Sequence, residues 1–486
     1  MVKAAGTFEL SLNQRPRNQT LTNWLYSELR VAILHGRLKA GVRLPASREF
    51  ARRHGLSRGT VVRVFERLQD EGYLSPRVGQ GTWVNAQVVT EASARKSSVK
   101  VPEYIRRSVA AYRKPRPFIG WIKLNNGAPF GMRDPALSEF PTQLWGRLAA
   151  KRARAFRWWL READDGRGYQ PLRAAIAQYL GSSRGVRCTA DQVLMVSGVQ
   201  QALDLLGRLL LAPGDRVWME DPGYFGASMA FQRAGAQIIA VPVDEHGLSV
   251  SAGMQLCPKA RGVFLTPAHQ YPLGMTMPLG RRMEVLEWAA RTGAFVIEDD
   301  YDSEYRFCGP SIPAMQGIDR NGSVIFIGTF TKLLFPSLRL GYVVLPSALV
   351  DTFVSFRQCA DLRALSLDQA ILCDFIDGGH FGRHLRRMRD LYATRLEALK
   401  EGGRRYLSGL LDISEAAAGL YTAALLRNRM SSRQAEAAAA ARNIETRALD
   451  RFTLQRSDPR GLLLGFAAFD EKAILQALPR LAEALS

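Results

Sequence analysis

Lys332 follows an apolar run, Val324-Ile325-Phe326-Ile327-Gly328-Thr329-Phe330-Thr331, and precedes Pro336, Arg339, Gly341 and Tyr342. A lysine amine between hydroxyl residues, with a guanidinium one or two turns on, can form a Schiff base while its neighbours hold an anion. That is the chemistry of a cofactor site. Three other segments end in residues that would complete it. Residues 193–196 lead into Ser197-Gly198-Val199-Gln200-Gln201, whose small residues would open backbone N–H groups at a helix N-terminus to a phosphate. Residues 294–297 lead into Glu298-Asp299-Asp300-Tyr301, which supplies a carboxylate for a protonated ring nitrogen and a phenol for a ring hydroxyl. Residues 217–220 lead into Asp221-Pro222-Gly223-Tyr224-Phe225, which offers an aromatic face to the same ring.

The elements that must position these residues follow from the spacing. Beyond Trp121, strand-like runs at 192–196, 216–220, 237–241, 262–266, 294–297 and 324–327 alternate with amphipathic helices. This rhythm predicts an α/β body with a mostly parallel sheet covered on both faces, where ligands collect beyond the strand ends.

The first 85 residues read differently. Residues 20–34 place Leu21, Leu25, Leu29 and Ala32 or Ile33 on one helical stripe, which Gly36 stops. A short second helix is expected over 47–53. A third has Ser57 as N-cap and Val61, Val64, Phe65 and Leu68 on its apolar side, and it ends at Gly72. Arg58, Thr60, Arg63 and Arg67 then fall on or near the outer side. Arg67, flanked by Glu66, Asp70 and Glu71, is expected to be a solvated structural arginine. Two short strands around Val78-Gly79-Gln80-Gly81 should form a hairpin, so the module reads as a winged helix-turn-helix whose third helix presents its N-terminal residues to a major groove.

Charge supports that partner. The 486-residue chain has a formal net charge of +21, and residues 1–120 hold 22 Lys and Arg against 8 Asp and Glu. No apolar stretch approaches the roughly 20 residues of a membrane-spanning helix, so nucleic acid is favoured over a membrane. Five scattered cysteines without C-x-x-C spacing suggest neither a disulfide framework nor a metal site, and a reducing cytoplasm fits best. Residues 86–119 turn to Ser, Ala, Lys, Arg and isolated Pro, as in a linker, with a short helix expected over 103–112. The expected domains are therefore 20–85, a linker over 86–119, and 120–486.

Leu44-Pro45-Ala46-Ser47-Arg48 and Ser57-Arg58-Gly59-Thr60-Val61 resemble the GntR-type bacterial winged helix. That resemblance implies DNA contacts from Arg43, Arg48, Ser57, Arg58, Thr60 and Arg63, with Gly79 near the minor groove. The body resembles fold-type I pyridoxal-phosphate enzymes of the aminotransferase family, which have a smaller C-terminal α+β subdomain. Supporting pieces are Asn125-Asn126-Gly127-Ala128-Pro129, residues 166–173 and Thr266-Pro267-Ala268-His269-Gln270-Tyr271-Pro272. By this resemblance Lys332 bears pyridoxal 5'-phosphate, Asp299 faces the ring nitrogen and Tyr301 the ring hydroxyl. Tyr224 stacks on the ring, and Gly198, Val199, Thr329, Thr331 and Arg339 hold the phosphate. Glu298 and Asp300 remain alternatives to Asp299, and His269 is expected to be an oriented polar neighbour.

One departure stands out. Aminotransferases carry a late arginine, within an apolar strand, that grips a substrate carboxylate as a fork. Here that stretch reads Gly461-Leu462-Leu463-Leu464-Gly465, with Arg451, Arg456 and Arg460 nearby. The whole chain resembles the MocR/GabR family of regulators, which implies a homodimer, double-stranded DNA with paired half-sites, and pyridoxal phosphate or its adduct with an amine or amino acid as effector. An active aminotransferase with an accessory DNA-binding domain is the alternative. A third reading is a body kept only for dimerisation.

Overall fold

The computed structural model describes residues 10, 12–16, 19–77, 81–85, 127–132, 134–155, 165–307, 312–362, 366–455 and 459–486. The linker, its expected helix over 103–112, Gly79, Asn125, Asn126 and Arg456 lie outside the described residues. The chain divides into two compact units, 1–115 and 116–486.

In the first unit the helices are Leu21–Leu34, Ser47–His54 and Arg58–Asp70. Each boundary has a local cause. The hydroxyl of Thr20 accepts from the Asn23 N–H, Gly55 ends the second helix at φ +64°, and Ser57 Oγ accepts from the Thr60 N–H at 3.2 Å. Leu25, Leu29, Phe50, Val61, Val64 and Leu68 form one buried cluster between the helices. Strands β1 (Leu74–Arg77) and β2 (Gly81–Val84) pair antiparallel, with Leu74 opposite Val84 and Arg77 opposite Gly81. The three helices and the hairpin make a winged helix.

The second unit is built on an eight-stranded sheet. Its strands are β3 (Val193–Val196), β4 (Arg216–Asp221), β5 (Gln237–Asp244), β6 (Gly247–Leu248), β7 (Gly262–Leu265), β8 (Phe295–Asp300), β9 (Val324–Thr329) and β10 (Gly341–Val344). They lie in the order β3-β10-β9-β8-β7-β4-β5-β6. The neighbours from β9 to β5 are parallel, whereas β10 is antiparallel to both β9 and β3. Strands β3, β4, β7, β8 and β9 are buried almost throughout, as expected of a sheet covered on both faces. On one face Leu203, Leu206 and Phe231 pack against Ile297 and Ile327. On the other, Trp218 stacks on Trp288 at 3.9 Å. Strands β11 (Leu411–Ile413), β12 (Tyr421–Leu426), β13 (Arg447–Ala448) and β14 (Gly461–Gly465) form a smaller antiparallel sheet in the order β11-β12-β14-β13. The 27-residue helix His380–Tyr406 and the helix Glu471–Leu485 pack together beside it.

Candidate functional site

Strands β3, β4, β7, β8 and β9 run in one direction, so their carboxyl ends share one end of the sheet. Strand β10 runs the other way, which brings its amino end, and Arg339 two residues before it, to that same place. A cavity of about 640 Å³ opens there. Lys332, Thr329 and Thr331 reach it from the end of β9, and Asp299 and Tyr301 from β8. Tyr224 comes from the turn after β4, Gly198 and Val199 from the turn after β3, and Arg339 from before β10. All nine body residues that the resemblance assigns to the cofactor line this one cavity.

One corner is shaped for an anion. Gly198 caps the helix Val199–Leu210 at φ +106°, a conformation that favours glycine, and no side chain caps that helix. A Cβ at Gly198 would sit 3.8 Å from the Arg339 guanidinium. The Thr331 N–H donates to Thr329 Oγ1 at 3.2 Å, which keeps both hydroxyl residues in one tight turn. Helix N–H groups, hydroxyls and a guanidinium together match a phosphate.

The opposite part holds carboxylate and phenols. Asp299 is 4% exposed, and its Oδ1 has no hydrogen-bond partner among the described residues. Burial, then the charges of Asp300, Asp302 and Glu220, hold its carboxyl well above the usual range. A buried carboxylate in this state is relieved by a cationic partner, so it fits a protonated ring nitrogen. Its neighbours are committed elsewhere. Arg184 Nε donates to Asp300 Oδ2 at 2.8 Å, and Glu298 accepts from the N–H groups of Met315 and Gln316 at 2.9 and 3.0 Å. Of these three acids Asp299 is the one that lines the cavity.

The Tyr301 hydroxyl lies 2.7 Å from the Tyr421 hydroxyl and 3.1 Å from His269 Nδ1. His269 is in turn oriented by Asp302, with Nδ1 to Oδ1 at 2.8 Å. Tyr224 meets Gln200 Oε1 through its hydroxyl at 3.3 Å and stands edge-on to Tyr271 with ring centroids 5.7 Å apart. Lys332 Nζ donates to the Met132 carbonyl at 3.3 Å.

Several wall residues escaped the sequence reading. Gln200 sits in the quoted turn, and its amide donates to the Gly226 carbonyl at 3.0 Å, fixing that wall. Tyr271 and Tyr421 also line the cavity, as do Glu445 and Arg447. Arg447 places a cation on this wall, where the leucines at 462–464 supply none. It lies on β13 directly opposite Leu463, and cross-strand partners share a face. Two of the nearby arginines, Arg451 and Arg460, are engaged elsewhere: Arg451 Nε donates to Glu436 at 2.6 Å, and Arg460 donates to the carbonyls of Asn428 and Met430 at 3.1 Å.

On the winged helix, Arg43, Arg48, Ser57, Arg58 and Arg63 are exposed. Thr60 is a correction to the sequence reading. It is 5% exposed, and its hydroxyl lies 2.8 Å from Ser57 Oγ within the cap. The signal was present, since Thr60 precedes Val64 and Leu68 by four and eight residues and therefore shares their buried stripe. Arg67 lies over the Tyr26 ring at 3.8 Å and donates to Glu71 at 3.1 Å, a structural arrangement. Among the described residues no acid, cysteine and histidine cluster could hold a metal, and no helix is long and apolar enough to cross a membrane.

Comparison with known proteins agrees with both units. Residues 21–84 match the model for bacterial regulatory proteins of the gntR family, and residues 147–474 match aminotransferase class I and II. The chain is 39% identical, over 95% of its length and 92% of the relative's, to a probable rhizopine catabolism regulatory protein, MocR, of Rhizobium meliloti. It is 27% identical, over 98% of its length and 99% of the relative's, to the pyridoxine biosynthesis transcriptional regulator PdxR of Corynebacterium glutamicum. Among solved structures it is similar to the α-aminoadipate aminotransferase LysN of Thermus thermophilus, complexed with N-(5'-phosphopyridoxyl)-L-leucine, with a TM-score of 0.68 and 28% identity. That match covers 74% of this chain and 92% of the other. A GntR-type winged helix joined to an aminotransferase class I and II body, with relatives of the same organisation along nearly its whole length, places the chain in the MocR/GabR family of transcriptional regulators.

Proposed function

We propose that this regulator holds pyridoxal 5'-phosphate at Lys332 and that a small amine or amino acid acting there modulates promoter binding by its winged helix. The observation that carries the reading is the convergence on one cavity of Lys332, an Asp299 carboxylate whose Oδ1 has no hydrogen-bond partner among the described residues, and a helix N-terminus without a side-chain cap beside Arg339. When bound, the cofactor supplies an aldehyde carbon for the Lys332 amine and a ring that withdraws electrons from an attached amine. Asp299 would keep a proton on the ring nitrogen. Tyr301 would bind the ring hydroxyl, oriented by Tyr421 and His269, while Tyr224 covers the ring face. Gly198 and Val199 N–H groups, the Thr329 and Thr331 hydroxyls and Arg339 would hold the phosphate.

On the other unit, Arg58 and Arg63 project from the third helix toward a major groove, and Arg43, Arg48 and Ser57 would take backbone phosphates. A homodimer would present two such heads to paired half-sites. The ligand shifts DNA affinity only by as much as it discriminates between the DNA-bound and free arrangements.

The test is spectroscopic and functional together. The purified protein is expected to show the visible band of lysine-bound pyridoxal phosphate, discharged by borohydride and absent in Lys332→Ala. Promoter-fragment binding is expected to depend on the cofactor in the wild type and to ignore it in that variant; equal cofactor dependence in both would end the reading. Arg447 on the cavity wall favours a second reading, an aminotransferase, because it supplies a cation for a substrate carboxylate. Steady turnover of an amino donor with a keto acid would support that reading, and a single stalled half-reaction would support the regulator.

A further inference from the structure

His269, in the turn after β7, and Asp302, just past β8, are 2% and 1% exposed and meet through Nδ1 and Oδ1 at 2.8 Å. The same Nδ1 lies 3.1 Å from the Tyr301 hydroxyl, which lies 2.7 Å from the hydroxyl of Tyr421 at the start of β12. The imidazole is stacked on Tyr301 and tilted against Tyr421, each with centroids 5.7 Å away, and Tyr271 stands edge-on to both phenols at 5.9 and 6.0 Å. The backbone makes room for the pair. A Cβ on Gly419 would collide with His269 Cε1 and lie 2.9 Å from Asp302 Oδ2, and one on Gly274 would lie 3.2 Å from His269 Nε2. Both glycines are left-handed, at φ +96° and +88°, a conformation that side chains disfavour.

The surroundings select one tautomer of this histidine. Nε2 has no hydrogen-bond partner among the described residues, so a proton there would be a buried donor left unsatisfied, whereas on Nδ1 it faces two oxygens. Asp302, which only accepts when ionised, holds it there. The Tyr301 oxygen has one proton and two lone pairs, so it can accept from Nδ1 and from the Tyr421 hydroxyl together. With both lone pairs filled, its own proton is left to point into the cavity. Burial, followed by the charge of Asp302, holds the Tyr301 phenol well above its usual range, so that proton stays on the oxygen.

We propose that His269 and Asp302 are positioning residues that make the Tyr301 hydroxyl a committed donor toward the hydroxyl oxygen of the cofactor ring. The proposal rests on the reading of Lys332 as the cofactor anchor. A donor at that oxygen shares its charge, which weakens the hold of the nearby lysine-derived nitrogen on its proton. The bound cofactor therefore loses that proton at lower pH than it would without the pair. One hydrogen bond to a charged oxygen shifts such a midpoint by about one pH unit.

Two readouts on the full-length protein test this. Without cofactor, nitrogen-15 spectra of the imidazoles, with His269 assigned by its loss in His269→Gln, are expected to show the proton on Nδ1; a proton on Nε2 would overturn the proposal. With pyridoxal phosphate bound, the pH midpoint of the visible band is expected to rise by about one unit in His269→Gln, whose amide replaces Nε2 but not Nδ1. His269→Asn, whose amide nitrogen falls near Nδ1, is expected to recover most of the wild-type midpoint, which separates positioning from loss of structure. In a Tyr301→Phe background, His269→Gln is expected to add no further shift. Asp302→Asn also removes a charge, so its effect is taken as the difference between the wild-type and Tyr301→Phe backgrounds, an expected rise of about one unit. An unmoved midpoint in His269→Gln, no recovery in His269→Asn, or effects of either residue that persist in full without the Tyr301 hydroxyl would overturn the proposal. A wild-type protein without the visible band would overturn the cofactor reading, and this proposal with it.

Discussion

Glu220 shows how strongly burial acts on single groups around the cavity. It is 1% exposed, Oε2 accepts from the Thr266 N–H and hydroxyl at 3.1 and 2.8 Å, and Oε1 has no partner among the described residues. Burial pushes its carboxyl up from 4.5 to about 7. The folded protein therefore keeps a proton that the unfolded chain releases above pH 4.5, so Glu220's contribution to stability falls as pH rises from about 4.5 through 7. The loss amounts to about 3 kcal/mol. Glu220→Gln is expected to flatten this slope, and denaturant midpoints compared between pH 5 and 8 would show it; parallel slopes in both proteins would contradict the assignment. The same scale explains why the sequence left three acids open at β8. Glu298, Asp299 and Asp300 are adjacent, and only their alternation across a strand whose partners are known sends Asp299 to the cavity and Asp300 to Arg184.

Among the elements, the third helix of the winged unit carries the clearest consequence. Its apolar stripe fixes the rotation of the helix, and Arg58 and Arg63 are left exposed while Arg67 is spent on Tyr26 and Glu71. Arg58→Ala is expected to weaken promoter binding by about 1–3 kcal/mol at fixed salt, whereas Arg67→Ala should change it little. Fluorescence anisotropy with both variants decides this, and equal losses would mean that charge alone matters. Helices and buried strands were legible because their periodicity or continuous apolar runs are local properties. The position of Arg447 was not, because β13 is two residues long and its pairing with β14 is set by packing across the subdomain. The antiparallel entry of β10 was likewise hidden, since its four apolar residues read the same in either direction.

At the scale of the whole molecule, two compact units with separate cores should unfold in separate transitions. Pyridoxal phosphate at about a hundredfold excess over its dissociation constant stabilises the unit that binds it by about 2.7 kcal/mol. Calorimetry is expected to show the transition of the body shifting upward with the cofactor by more than that of the winged helix, which does not bind it directly. Equal shifts of both would show a single cooperative unit. The reversal of β10 has a further consequence for this body. Lys332 and Arg339 hang from one short connection, seven positions apart in the chain, so on the proposed reading the covalent anchor and the phosphate's countercharge would be measured against each other by a fixed length of backbone. Thr329 and Thr331 precede Lys332 on the same stretch, whereas Asp299, Tyr224 and Gly198 come from separate segments, so this stretch would act as a built-in ruler, and insertions that lengthen it would separate attachment from charge neutralisation.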